Sequence, residues 1–89
     1  MRRFKLEMYV DILKVLAYHG PLKLKHIMNK SNVKGIILRE FLDFLIAKGF
    51  VEERIIEKSP VAFVVTERGI SALKYFRELT QGLTVLEEP

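Results

Sequence analysis

The hydrophobic positions at the start of the chain predict a long first helix. Over residues 4–18 most positions are apolar, and four polar side chains fall on one narrow stripe at spacings of 4, 3 and 4: Glu7, Asp11, Lys14 and Tyr18. A helix that is apolar around most of its circumference must be covered on more than one side. The sequence His19-Gly20-Pro21 should end it, because glycine and proline commonly follow a helix.

Two further periodic stretches predict a second helix over residues 22–30 and a third over residues 33–48. Ser31-Asn32 form the turn between them and offer a possible N-cap for the third helix. Gly49 suits the C-terminal cap of that helix, where a left-handed backbone is common. The two helices and their short turn therefore form a helix-turn-helix unit.

The third helix has a clear inward direction. Its core stripe follows helical spacing: Leu38, Phe41, Leu42 and Leu45. Adjacent helical positions lie about 100° apart, so Ile36 should point away from the core. Ile37 falls on a flank with Phe44, and we expect it to be mostly buried there.

The second half of the chain begins with two β-type runs. Residues 50–56 and 61–65 flank a four-residue loop, which predicts a hairpin. The predicted order is helix, helix, helix, strand, strand, helix. This is a mainly α fold with a small β-hairpin, in the α+β class, and the order is typical of a winged helix-turn-helix domain.

A last helix is predicted over residues 67–80. Thr66 suits its N-cap, since a threonine hydroxyl can accept a hydrogen bond from the first turn. We expect Gly82 to fray or end the helix. The domain would then occupy residues 1–80, with residues 81–89 as a C-terminal tail.

Several local motifs resemble those of small archaeal winged-helix DNA-binding proteins. The segments are HGPLKLKHIMNKSNVKGIILREFLDFLIAKGFVEE and FVVTERGISALKYF, and the resemblance spans residues 8–79. Shared features are Ile-Met before a Ser/Asn turn, an aromatic-Leu pair in the recognition helix, a Gly-apolar pair before the hairpin, and Thr-x-x-Gly opening the last helix. This chain has Val65 where those proteins have leucine, and it should lack the long final helix that some of them use as a coiled coil. The resemblance implies DNA binding and an archaeal host or one of its viruses.

The charge is placed unevenly along the chain. The net charge is +4, but residues 1–48 carry ten Lys and Arg against four Asp and Glu, whereas residues 49–89 carry five against seven. A basic half on a small domain suggests a polyanionic partner, and a solvated lysine surface is the alternative interpretation.

The candidate DNA contacts lie on the helix-turn-helix unit and at the hairpin tip: Lys23, Lys25, Lys30, Ser31, Lys34, Gly35, Ile36, Arg39 and Lys58. Lysines and helix N-terminal amides suit phosphates. Ile36 could meet a thymine methyl, and Arg39 is the one candidate for bidentate reading of a base. Glu40 and Asp43 share the outward face and would repel phosphates, so this helix should dock with little discrimination.

Other classes of function find no support in the sequence. There is no cysteine, and the two histidines have no partner at ligand spacing, so we expect no metal, no cofactor, no small-molecule substrate and no enzyme activity. Nothing resembles a signal peptide, and the longest apolar run is too short to cross a membrane. We expect a cytoplasmic, nucleoid-associated protein with no membrane partner.

The first and last helices carry more apolar surface than a small monomer can bury. In the last helix, apolar residues recur at spacings of 4, 3, 4 and 3, and we predict a homodimer interface made of Met8, Ile12, Ala72, Phe76, Leu79 and Leu83. The interpretation is a homodimeric double-stranded DNA-binding protein, either a transcriptional regulator or a chromatin-associated protein. The alternative is a protein–protein interaction module in a larger assembly, with Ile36, Ile37 and Phe44 as its contact surface.

Overall fold

The computed structural model describes residues 5–33, 35–55 and 61–87, with side chains described up to Gln81 except at Thr80. The elements in chain order are α1 (Lys5–His19), β1 (Leu22–Lys23), α2 (Leu24–Lys30), α3 (Gly35–Ala47), β2 (Val51–Ile55), β3 (Val61–Val65) and α4 (Glu67–Glu87). The predicted helices and hairpin strands are all present, so the predicted mainly α fold with a small hairpin is confirmed.

The sheet contains one strand more than the sequence predicted. Its order is β1-β3-β2, all antiparallel, with Leu22 opposite Phe63 and Val51 opposite Val65. The second helix therefore begins at Leu24 rather than at residue 22. A two-residue strand has no periodicity of its own, and only pairing with the distant β3 defines it.

The core lies between α1, α2, α3 and the inner side of the sheet. Its fully buried large side chains come from every layer: Ile12, Leu16, Ile27, Leu38, Leu42, Leu45, Val51 and Phe63. Leu38 is buried and Ile36 is 79% exposed, which confirms the predicted inward direction of α3.

The prediction that Ile37 is mostly buried was wrong. Ile37 is 51% exposed. Two turns later on the same flank, the rings of Tyr9 and Phe44 stack with their centroids 4.6 Å apart, and Phe44 still remains 40% exposed. Helical spacing places both residues on this flank, but their exposure depends on how the neighbouring elements pack against it.

Gly49 ends α3 as predicted. Its φ is +80°, and its amide donates to the Ile46 carbonyl at 3.0 Å while the Phe50 amide donates to the Leu45 carbonyl at 2.9 Å. This pair of bonds is the Schellman arrangement, which satisfies carbonyls at a helix end and favours glycine in the left-handed position.

Thr66 is the N-cap of α4, as predicted, and it also ties α4 to the end of α3. Its hydroxyl accepts the Gly69 amide at 3.0 Å and donates to the Gly49 carbonyl at 2.7 Å. A Cβ on Gly69 would overlap the Phe50 carbonyl oxygen and lie 2.7 Å from a methyl of Val65. The Thr-x-x-Gly motif is therefore needed for both capping and close packing.

The last helix is longer than predicted. It spans 21 residues to Glu87, so the expected end at Gly82 and the expected lack of a long final helix were both wrong. Glycine inside a helix costs about 1 kcal/mol relative to alanine but does not stop the helix as proline does. No helix in the described part of the chain is long and apolar enough to cross a membrane.

Candidate nucleic-acid interface

The turn between α2 and α3 is held from inside by Ser31. This residue is buried, and its hydroxyl donates to the Ile27 carbonyl at 2.8 Å while the Val33 amide donates to it at 3.3 Å. The contact of Ser31 with DNA stays a prediction; in the folded chain its hydroxyl serves the turn. It also lies at the C-terminal end of α2 and does not cap α3. A serine in a turn suits either helix end, so the sequence alone did not decide between them.

A basic surface lies along β1 and α2. Lys23, Lys25 and Lys30 are all exposed, and the inward position of α2 is taken by Ile27. None of the three forms an ion pair with any carboxylate in the described parts of the chain. We call these three residues the α2 lysine surface. Cations without local partners are suited to binding an external anion.

The outer face of α3 has a different character. It consists of Ile36, Glu40, Asp43 and Ala47, all exposed and all spaced to share one side of the helix. Across the span of α3 the sole cation is Arg39. This face therefore offers methyl groups and two carboxylates, as the sequence suggested, and little that attracts phosphate.

Arg39 itself is held at the side of α3 that faces the hairpin. Its Nε lies 3.2 Å from an Asp43 oxygen, and one terminal nitrogen lies 4.0 Å from a Glu53 oxygen. Its guanidinium carbon is 5.8 Å from the centre of the Phe63 ring. The pairing with Asp43 can be inferred from the sequence, because residues at i and i+4 lie side by side on a helix. Glu53 was missed, because its proximity depends on how β2 packs beside α3.

Of the three remaining candidate DNA contacts, the structure describes one. Gly35 is exposed at the start of α3, and its amide donates to the Met28 sulfur at 3.4 Å, which links α2 to α3. Lys34 and Lys58 lie outside the described residues, so their proposed contacts stay predictions. In β2, Arg54 pairs with Glu52 at 3.6 Å.

A second notable surface is an apolar groove between α1, the end of α3 and α4. The groove has a volume of about 430 Å³, and its lining includes Leu6, Tyr9, Phe44, Ala72, Phe76 and Leu79. Leu79 is 48% exposed at its edge, and Ala72 and Phe76 are partly buried in it. We call this the α1–α4 groove.

The predicted dimer residues divide into three groups. Met8, Ala72, Phe76 and Leu79 keep some or much of their surface accessible. Ile12 is 0% exposed inside a single chain, so its place in an interface was wrong. Helix α1 is apolar on several sides, and the side that carries Ile12 packs into the core of its own chain. The side chain of Leu83 lies outside the described residues.

Comparison with known proteins identifies one family. A family model described as winged helix-turn-helix matches residues 2–83, which is most of the chain. No curated protein matches the chain at a significant level.

Proposed function

Because the chain belongs to the winged helix-turn-helix family, a typically DNA-binding and non-enzymatic kind of domain, we propose that it binds double-stranded DNA through the α2 lysine surface and the adjoining start of α3. The observation that carries this proposal is a set of exposed lysines that pair with no carboxylate among the residues that the structure describes: Lys23, Lys25 and Lys30. Phosphate contacts of this kind fix a protein on the duplex without reading its sequence.

The outer face of α3 supports a weakly selective mode of binding. Bidentate reading of bases needs side chains such as arginine, asparagine or glutamine, and α3 supplies only Arg39, which is already paired. Ile36 can contact a thymine methyl in the major groove, which discriminates modestly. The carboxylates of Glu40 and Asp43 repel phosphates and so disfavour a close approach of α3 to the DNA backbone. The domain then depends on backbone contacts for most of its affinity.

This mode suits a chromatin-associated protein or a regulator with a permissive site. We propose a nucleoid-associated role in an archaeal host or one of its viruses, on the resemblance of the turn, hairpin and last-helix motifs. The Thr66 cap and the closely packed Gly69 supply a physical reason for one of those motifs.

We also propose that the protein acts as a homodimer through the α1–α4 groove. Leu79, Tyr75 and Leu6 are large apolar side chains with about half or more of their surface exposed, and all three line this groove. Exposed apolar side chains that cluster in one place mark interaction sites more often than isolated ones do. Two copies of the groove could meet across a two-fold axis, the commonest arrangement of soluble oligomers.

Charge reversal on α2 tests the DNA proposal. Lys25→Glu and Lys30→Glu together should weaken binding to all duplexes alike, by at least about tenfold at low salt, because phosphate contacts are lost regardless of sequence. Lys74→Glu and Arg77→Glu together are the matched control, since both residues are exposed cations on α4 and the pair changes the net charge by the same amount. Fluorescence anisotropy measures the duplex affinity of both variants. An equal loss of affinity in the α2 variant and the α4 control would contradict the assignment to α2.

One observation favours a second candidate function. Ile36, Ile37 and Phe44 are all exposed along α3, an apolar strip on the helix that a DNA-binding member would present to the duplex. In a protein–protein interaction module this strip would be the contact surface. A wild-type protein that binds no duplex at low salt would favour this alternative.

A further inference from the structure

The position of Arg39 follows from two elements that meet beside it. Asp43 is one helical turn further along α3, and Glu53 lies on β2 directly opposite Phe63 of β3. The guanidinium therefore lies against the sheet, over the buried Phe63 ring, with a carboxylate from the helix on one side and one from the hairpin on the other. An aromatic face and two carboxylates all favour a cation in this place.

The atoms that face the carboxylates are among those that a DNA contact can use. A guanidinium binds phosphate or guanine through two neighbouring N–H groups. In Arg39 the Nε and one terminal nitrogen form such an edge, and they lie 3.2 Å from Asp43 and 4.0 Å from Glu53 respectively. The two carboxylates therefore lie at ion-pair distance from one of the edges through which the guanidinium would bind a phosphate.

This arrangement restrains Arg39 without locking it. The side chains of Arg39, Asp43 and Glu53 are 47%, 57% and 40% exposed. Ion pairs this accessible to water are weak and exchange readily. A phosphate or a guanine can therefore compete with these internal partners for the guanidinium.

We propose that Asp43 and Glu53 are affinity-limiting residues that compete with DNA for Arg39. This inference rests on the proposed DNA binding. If so, α3 discriminates weakly between DNA sequences because Arg39, the single cation of that helix, is partly neutralised by Asp43 and Glu53. Removing either carboxylate should release Arg39 for DNA.

The chain offers a matched control for this effect. Glu40 shares the outer face of α3 with Asp43, but among the residues that the structure describes it has no ionic partner. Asp43→Asn and Glu40→Gln each remove one negative charge from that face. Only the first of them also removes a partner of Arg39.

The experiment measures the affinity of each variant for one mixed-sequence duplex by fluorescence anisotropy at fixed low salt. Both variants should bind more tightly than the wild type, and Asp43→Asn should gain about threefold to tenfold more than Glu40→Gln, as expected for an added arginine contact. In an Arg39→Ala background the two substitutions should have equal effects. Glu53→Gln should show the same dependence on Arg39, with a smaller gain because its distance is longer.

The outcomes separate the inference from the function on which it rests. A wild type that binds duplex, with equal gains from Asp43→Asn and Glu40→Gln, would overturn the inference and leave DNA binding intact. A gain from Asp43→Asn that persists without Arg39 would also overturn it, since general charge would then be the cause. A wild type that binds no duplex removes the proposed function itself. If Asp43→Asn impairs folding by circular dichroism, Glu53→Gln on the strand decides the question in the same two backgrounds.

Discussion

At the scale of single residues, the opening turn of α3 shows which burial states helical spacing can predict. Ile36 was predicted to be exposed and Leu38 to be buried, and both are so. Spacing predicts both because Leu38 points towards the core and Ile36 points almost directly away from it. Ile37 lies between them, where exposure depends on a neighbouring element. Tyr9 stacks on Phe44 two turns further along this flank, yet Phe44 is 40% exposed and Ile37 is 51% exposed, so the sequence alone could not assign Ile37.

Substitutions in this turn should separate surface from core. Ile36→Ala should change the free energy of unfolding by no more than about 0.5 kcal/mol, as is usual for an exposed site. Ile37→Ala should cost less than about 1 kcal/mol, because half of its surface is already in water. Leu38→Ala should cost about 2–5 kcal/mol, as it removes a fully buried side chain. Urea denaturation measures all three, and an Ile36→Ala cost equal to that of Leu38→Ala would mean that the register of α3 is wrong.

At the scale of elements, strong periodicity and capping residues allowed most of the fold to be predicted. The hairpin strands, the end of α3 at Gly49 and the start of α4 after Thr66 follow from local chemistry. β1 did not, because its pairing with β3 is a long-range event. The length of α4 was also missed, since the cost of Gly82 is small beside the stability of a long helix.

The junction between α3 and α4 gives a test at this scale. Thr66→Ala should lower the free energy of unfolding by about 1–2 kcal/mol, because it removes the cap on Gly69 and the bond to Gly49. Thr66→Ser keeps the hydroxyl and is the matched control, with a smaller cost. Thermal or urea denaturation distinguishes them, and equal costs for alanine and serine would show that the hydroxyl contributes nothing.

The candidate site depends on the meeting of elements more than on any one of them. The lysines on α2 and the acids on α3 could be assigned to outward faces from the sequence, and their exposure agrees with this. Ser31 could not be assigned, because a turn serine can face solvent or serve the backbone. The Arg39–Glu53 contact joins residues on α3 and β2, so only the folded chain reveals it.

At the scale of the whole molecule, two surfaces of different character lie on one small domain. The α2 lysine surface is cationic, and the α1–α4 groove is apolar and open. The first is suited to a polyanion and the second to another apolar surface. We therefore expect DNA binding and self-association to use separate parts of the chain.

Self-association is tested by substitution at the edge of the groove. The wild type should be a dimer at micromolar concentration by light scattering, and Leu79→Glu should give a monomer or an insoluble chain, because a charge would be placed in apolar surface. Ser71→Glu adds the same charge at an exposed α4 position that is absent from the groove lining, and it should leave the dimer intact. A monomeric wild type with a cooperative melt would contradict the dimer.

The salt dependence of duplex binding tests the central claim most directly. If Lys23, Lys25 and Lys30, together with Lys34 and Lys58, neutralise phosphates, the logarithm of the affinity should fall with the logarithm of salt concentration with a slope of about −5 per bound unit. The slope should be nearly the same for duplexes of unrelated sequence, since the phosphates and not the bases supply most of the affinity. No detectable duplex binding at low salt, or binding that is insensitive to salt, would contradict the account.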